Sequence, residues 1–404
     1  MNRMPGRWEP AAWAGGLLVV WAVIAATGFV SRDPDSAFYA VMSARLAQGD
    51  PARVIAPEWG GLWNGTGLWQ EHPIGIYLAP IALAKLGYPV AQAAYAAGIA
   101  AGLACLLLLA RLARAAEPSA GRSALVLLQL VPAAFVFRVR ANQEYPMLLC
   151  LLVTLVALDG VRRSGVRRSW AWSLVATAAL VAALLVKGVF VALVLLGAGI
   201  WVLVNPLRAQ GSAVRPLVAL AGAMLAMVLA AWFYDRLYEH ATGTTFWVGY
   251  WRRQLGPVAD AAPSAGALPL VYHAFFYLAH MAWLSAPWGA ALIALVIGRI
   301  SKARDAWRAQ PEPLTRAAVF ALAFAGAAIV LLSPSGRFAE RYLFSPIFVT
   351  AAIGVALACR TWPHIPVAVA QIERRVPFLP VLVWLALIVG RLGLGPLLPR
   401  PRFW

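Results

Sequence analysis

Residues 11–40 read AAWAGGLLVVWAVIAATGFV followed by SRDPDSAFYA. The first twenty, Ala11 to Val30, carry no charge, and a helix of that length spans about the 30 Å of a bilayer's hydrocarbon core. Arg3 and Arg7 precede the run, as in a signal peptide, but it is long enough to span and no small-residue cleavage site follows. It predicts a retained first membrane span. The last ten residues change character at once. Asp33 suits a helix N-cap and Pro34 the first helical position. Phe38, Val41, Met42 and Leu46 then recur at helical spacing, with Ser43 and Arg45 off that face. The pattern predicts a helix lying along the membrane surface.

The rest of the chain repeats the first theme. Of its 404 residues 62% are hydrophobic and only 12% charged, and its mean hydropathy is +0.74, so it has too little polar surface to cover a water-soluble globule. The fold class is therefore an all-α polytopic membrane protein solvated by membrane lipids. The net charge of +18 suggests nucleic-acid binding, but the arginines stand in short clusters between apolar runs and form no continuous basic stripe. No nucleic-acid partner is expected, because the clusters follow the positive-inside rule. Cys105, Cys150 and Cys359 lie within or at the edge of apolar runs and read as small core residues, not as a disulfide framework or a Cys-rich metal site. Only Lys85, Lys187 and Lys302 are lysines among 34 basic residues. That bias points to a high-GC bacterial genome, and hence to a bacterial inner (cytoplasmic) membrane.

At about 17–25 residues per span, hydropathy predicts about eleven transmembrane helices, near 11–30, 89–110, 123–138, 145–159, 170–186, 188–204, 217–234, 267–298, 316–333, 343–359 and 376–395. With a cytoplasmic N-terminus, the inner loops hold Arg111 to Arg122, Arg162 to Arg168, Arg208 and Arg215, Arg299 to Arg316, and Arg360 to Arg375. All are basic. Two outer segments, 31–88 and 235–266, are too long for turns and are expected to carry function. The first should hold a second interfacial helix, from Pro73 through Ile76, Tyr77 and Ile81 to about Lys85. Residues 1–404 read as a single transmembrane module with no soluble C-terminal domain, internal repeat or low-complexity tract.

This topology gathers Asp33, Asp35, Asp50, Glu58, Glu71, Glu144, Asp235, Glu239, Asp260 and Glu340 on the outer side, with His72, Lys187 and several arginines near membrane depth. Ionisable groups there are costly and are functional candidates by default. No Gly-rich phosphate loop is present, so an enzyme acting on this face needs an activated donor already in the bilayer. A polyprenyl-phosphate-linked sugar fits, because its phosphate departs without a general acid and needs only cations around it. One base and a cationic cradle are then enough.

At this point the residues resemble a known family. Asp35-Ser36-Ala37-Phe38-Tyr39-Ala40 resembles the D-E-A-R-Y-A stretch after the first span of lipid-carrier-dependent GT-C glycosyltransferases, the group that includes aminoarabinose transferases and protein O-mannosyltransferases. Glu71-His72-Pro73-Ile74 resembles their E-K-P-[IL] motif, Glu144 falls where they carry an acid at the head of the fourth span, and Val186-Lys187-Gly188 resembles T-K-G. The segment Ser333 to Pro346, ending Arg341-Tyr342-Leu343-Phe344-Ser345-Pro346, is similar to their late S…K-L-P-[RT]-Y-L-L-P stretch. The five motifs stand in the family's order. This chain departs at Ser36, where the family carries an acid, and at His72, where it carries Lys.

The resemblance implies a GT-C fold and an inverting transferase of hexosyl or pentosyl type. It would move a sugar from a polyprenyl-phosphate donor to a lipid, glycan or protein acceptor on the periplasmic or exterior face. Asp35 would be the general base or a metal ligand; members of the wider fold differ in needing a divalent metal, so that cofactor stays open. A helix N-terminus weakens Asp35 as a base while burial strengthens it. Asp33 reads as a structural cap. Glu71 and His72 would orient the acceptor or bind phosphate, or else cap and stack before Pro73. Lys187, a compact point charge kept at depth, is the first choice for a phosphate ligand, against snorkelling. Arg341 and Tyr342 would contact phosphate or sugar. Arg252 and Arg253 follow the aromatic stretch Phe246 to Trp251, either a loop closing over the head group or an interfacial belt. Arg138 is a further phosphate candidate, although it and Arg140 end a span where snorkelling is the plainer account. The sequon Asn64-Gly65-Thr66 reads as chance. The rivals are a transporter or flippase of lipid-linked intermediates, which calls for inverted repeats and paired broken spans, and a non-catalytic assembly partner.

Overall fold

The computed structural model of the protein describes residues 9–49, 51–58, 67–207, 212–255, 267–294, 312–335 and 339–394. The sequon at 64–66, Asp50, Asp260, Arg208, Arg337 and the basic stretch 299–311 lie outside the described residues. The chain is helical almost throughout: α1 (Glu9–Thr27), α2 (Pro34–Gln48), α3 (Gly75–Lys85), α4 (Ala93–Ala116), α5 (Ala120–Leu127), α6 (Pro132–Phe137), α7 (Glu144–Arg163), α8 (Val166–Lys187), α9 (Val191–Val204), α10 (Val214–Thr242), α11 (Phe246–Tyr250), α12 (Ala267–Leu284), α13 (Glu312–Leu332), α14 (Phe344–Thr361), α15 (His364–Arg375) and α16 (Leu379–Leu394). A lone antiparallel bridge joins Glu58 to Leu68 in the first outer segment.

By length and hydropathy, seven helical stretches among the described residues can cross a membrane, and an eighth if α15 and α16, bent by 84° at their junction, form one span. One of the seven, Val166–Val204, has 39 residues, about twice what a bilayer needs. It folds back on itself. α8 leaves the C-terminal end of α7 and rises until Lys187 meets Glu144 at the other end. α9 then returns, so that Arg162 near the α7 C-terminus donates to the Val202 carbonyl at 2.7 Å. The division expected at Lys187 is thus a turn at the tip of a helical hairpin.

The same contacts fix the polarity of the bundle. One end collects Arg122 with Glu9 and Glu373, Arg162 with Val202, Arg215 with the Ser164 carbonyl and Arg316 with the Val204 carbonyl. The opposite end collects Asp33, Arg140, Glu144, Lys187 and Arg341. α14 runs through the middle with 89% of its span buried, whereas α1 and α10 are only 22% buried and form the periphery. Leu225, Val228, Leu229 and Trp232 of α10 are exposed and suit lipid. The most enclosed helix therefore carries, at its N-terminal tip, the short 3₁₀ turn Glu340–Leu343 that holds Arg341 and Tyr342.

Three local expectations are revised. The span placed at 123–138 is broken: Pro132 opens α6 with Val131 extended before it (φ −70°, ψ 143°), because proline lacks an N–H and disfavours helix in the residue it follows. The segment from Arg360 to Arg375 contains a helix, α15, whose Glu373 pairs with Arg122 at 3.0 Å. In α2 the buried residues are Ser36, Tyr39, Ala40, Met42, Ser43, Leu46 and Ala47, so Met42 and Leu46 face inward as expected, while Val41 faces outward and Phe38 packs on Trp69 at 4.5 Å. The helix lies against the bundle, so its small and polar positions turn inward and part of its apolar face meets the surroundings.

Candidate active site

Asp33 and Pro34 start α2. The Asp33 carboxylate accepts from the Ser36 backbone N–H at 3.0 Å and from the Ser36 hydroxyl at 2.6 Å, which caps the helix in the usual way. Ser36 in turn accepts from the Ala141 N–H at 3.1 Å. Arg140 lies 3.6 Å from Asp33, and Gln143 donates to the Tyr39 hydroxyl at 2.8 Å. The loop 140–143 is thereby fastened along the inner face of α2, and it delivers Glu144 at the head of α7 directly beneath that helix.

Glu144 accepts from Lys187 at 3.1 Å, and both side chains are buried, 2% and 7% exposed. The Lys187 ammonium sits over the Phe190 ring at 4.9 Å and the Tyr342 ring at 5.6 Å, and these two rings lie 4.8 Å apart. An ammonium over aromatic faces is held by their quadrupoles while one carboxylate neutralises it. Next to Tyr342, the Arg341 guanidinium donates to the Asp35 carboxylate. Consecutive residues at the head of α14 thus link Asp35 with Lys187.

The turn that presents Lys187 depends on Gly188 and Tyr250. Gly188 has φ +57°, and the Tyr250 hydroxyl accepts from the Val189 N–H at 3.2 Å and donates to the Lys187 carbonyl at 3.4 Å. A Cβ on Gly188 would lie 2.5 Å from that hydroxyl. Gly188→Ala should therefore cost about 1–3 kcal/mol, read as a lower midpoint of thermal unfolding in detergent. An unchanged midpoint would show that the turn is not held as described.

His72 is half-buried beside this cluster, with its ring 6.1 Å from Tyr39. Burial, and after it the charge of Lys187, lowers its imidazole to about 3. At neutral pH it is an uncharged ring, and it can meet phosphate only as a hydrogen-bond partner. Its Nδ1 and the Glu144 Oε2 are buried without hydrogen-bond partners among the described residues. Glu71 lies near enough to Tyr39 and Tyr77 to raise both phenols, after the larger effect of burial. Those hydroxyls stay protonated.

Of the residues singled out from sequence, Asp33, Asp35, Glu71, His72, Glu144, Lys187, Arg341 and Tyr342 belong to this one end of the bundle. Arg138 does not join them. It is buried and turned inward, donating to the Gln129 carbonyl, and it lines a small interior cavity with Tyr145 and Trp384. Arg252 is exposed, and its neighbour Arg253 reaches the first outer segment instead, donating to the Leu68 carbonyl at 3.1 Å. The aromatic stretch splits in role: Phe246 and Tyr250 are buried, and Trp251 is exposed. Sequence reasoning did not single out Gln143 and Phe190, and it gave no part in the site to Ser36, read as a departure from the family, to Arg140, read as snorkelling, or to Tyr250, which it met only within the aromatic stretch. The one available signal was adjacency, since each lies within a few residues of a motif position. Among the described residues no three His, Cys, Asp or Glu side chains converge on a point, and Asp35 faces a guanidinium. That donor set does not suit a divalent ion.

No family model and no curated protein matches the sequence. Among solved structures, the chain is similar to ArnT from Cupriavidus metallidurans in the apo state, with 20% identity and a TM-score of 0.57, covering 95% of this chain and 76% of that one. It is similar also to ArnT from Cupriavidus metallidurans bound to undecaprenyl phosphate, with 19% identity, a TM-score of 0.61, and 97% and 72% of the two chains covered. Identity at this level establishes the fold and no more. This chain has the fold of ArnT, the GT-C architecture that its motifs lead one to expect.

Proposed function

We propose that this protein is an integral-membrane glycosyltransferase of the bacterial inner membrane, with a cytoplasmic N-terminus, that transfers a sugar from a polyprenyl-phosphate donor to an acceptor hydroxyl on the outer face. The observation that carries the reading is the joining of one solvent-reachable carboxylate to a cation packed against aromatic rings by adjacent residues: Asp35 touches Arg341, and Tyr342 stands over Lys187. Asp35 takes the proton of the acceptor hydroxyl as its oxygen attacks the anomeric carbon. The bond from that carbon to the phosphate oxygen breaks, and polyprenyl phosphate departs with the electron pair. Attack in line inverts the centre. Arg341 and Lys187 stabilise the departing phosphate. Glu144 Oε2 and His72 Nδ1, two of the buried polar atoms without a hydrogen-bond partner among the described residues, would take sugar hydroxyls. The likeness to a fold solved with undecaprenyl phosphate supports a lipid-linked donor. The segregation of basic groups to the opposite end of the bundle supports the orientation.

Purified full-length protein in detergent, given a short-chain polyprenyl-phosphoryl sugar and an envelope lipid fraction, should release polyprenyl phosphate with no ion gradient present. A protein that only moves the intact donor between the leaflets of a liposome would be a flippase, and the reading would fail.

A further inference from the structure

At the outer end of the bundle three ion pairs stand together among the described residues: Asp33 with Arg140, Glu144 with Lys187, and Asp35 with Arg341. Two of these pairs are closed, with no side chain more than 14% exposed. The third is open: Arg341 is 31% and Asp35 45% exposed. A phosphate approaching any of these three cations finds it already paired: it can form direct hydrogen bonds in the carboxylate's place only by displacing that carboxylate, whereas a cation that keeps its carboxylate, as Lys187 does, acts on the phosphate through space. At a closed pair displacement would strand a buried carboxylate at a cost of several kcal/mol (~3–5). At the open pair the displaced carboxylate turns to water or to a substrate hydroxyl. The guanidinium is also the better phosphate ligand, because its planar fork matches two phosphate oxygens at once.

Resting on the transferase reading above, we propose that Arg341 holds Asp35 in the empty enzyme and exchanges it for the donor's phosphate, so that the base is freed only when the donor is seated. Arg341 stands at the fixed head of the most buried helix, while Asp35 lies in the first turn of a surface helix, so Asp35 is the partner that moves. A carboxylate engaged by a guanidinium is a poor proton acceptor. The exchange therefore orders the reaction, with the donor binding first and acceptor deprotonation following. No bond is made or broken in the exchange itself.

Binding of a short-chain polyprenyl phosphate to the full chain in nanodiscs, measured by calorimetry, separates the outcomes. Removing the competing carboxylate should tighten binding: Asp35→Asn and Asp35→Ala are each expected to bind about tenfold more tightly than wild type. Arg341→Met should bind about tenfold more weakly. In the Arg341→Met background, Asp35→Asn should change affinity by less than about twofold, because no guanidinium remains to compete for. Unchanged or weaker binding by both Asp35 variants overturns the exchange. So does a gain that persists without Arg341, since that gain would come from simple charge repulsion. Failure of the exchange is distinct from failure of the transferase reading: an Asp35→Asn protein that has lost transfer but binds with wild-type affinity sinks the exchange alone, whereas one that transfers sugar at the wild-type rate sinks the base.

Discussion

Asp35→Asn should lower the rate of sugar transfer by about 10²–10⁴-fold, the range that a positioned general base contributes, while leaving the fold intact. The substitution is close to isosteric and keeps a side chain of the same reach at the head of α2. What it removes is the ability to hold a proton. The pair that Asp35 makes with Arg341 is half exposed, and an ion pair so open to solvent is worth about 0–1 kcal/mol; unfolding should therefore move little. The neighbouring carboxylate supplies the control. Asp33 is occupied by the Ser36 N–H, the Ser36 hydroxyl and Arg140, so Asp33→Asn should disturb the cap and the loop 140–143 but spare proton transfer. Initial rates of polyprenyl phosphate release, with unfolding midpoints for the same preparations, distinguish the two. A wild-type rate in Asp35→Asn would end the mechanism.

Asp35 was chosen through the resemblance of its motif to the family's first-loop stretch; what the sequence itself supplies is its local setting. Asp33-Pro34 announces a helix start by short-range rules, and a carboxylate two residues later must fall in the first turn. The helices α2 and α3, the apolar spans and the sorting of basic residues to one end were legible for the same reason, since each depends on periodicity or composition within a window of about twenty residues. The pairings were not. Arg138 and Arg140 look alike in sequence, yet one turns into the bundle toward Gln129 and the other outward to Asp33. The break at Pro132 and the turn after α6 set those directions, and hydropathy registers neither. Ser43 was placed off the buried face because its polarity outweighed its position; in fact its hydroxyl donates to the Tyr39 carbonyl at 2.7 Å, which lets it sit inside. Lys187 was recognisable as unusual, but its partner lies across a hairpin that only helix packing brings together.

That partner gives the second large effect. Lys187→Met leaves Glu144 at 2% exposure with no cation, and breaking a buried pair from one side costs about 3–5 kcal/mol. The variant should unfold well below wild type and transfer no measurable sugar, but the loss of transfer would then be uninformative alone. The double variant Lys187→Met/Glu144→Gln removes both charges together, and such replacements are often close to neutral for stability. Its unfolding midpoint should therefore return most of the way to the wild-type value. If Lys187 serves only to keep Glu144 quiet, transfer returns with the fold. If the ammonium stabilises phosphate as it leaves, the folded double variant remains slow by about 10²–10³-fold, the cost of losing one electrostatic donor at a developing charge. We expect the second result, because the Phe190 and Tyr342 rings hold the ammonium over aromatic faces and Tyr342 follows directly on the residue that grips Asp35. A pure counter-ion for Glu144 would need neither the rings nor that neighbour.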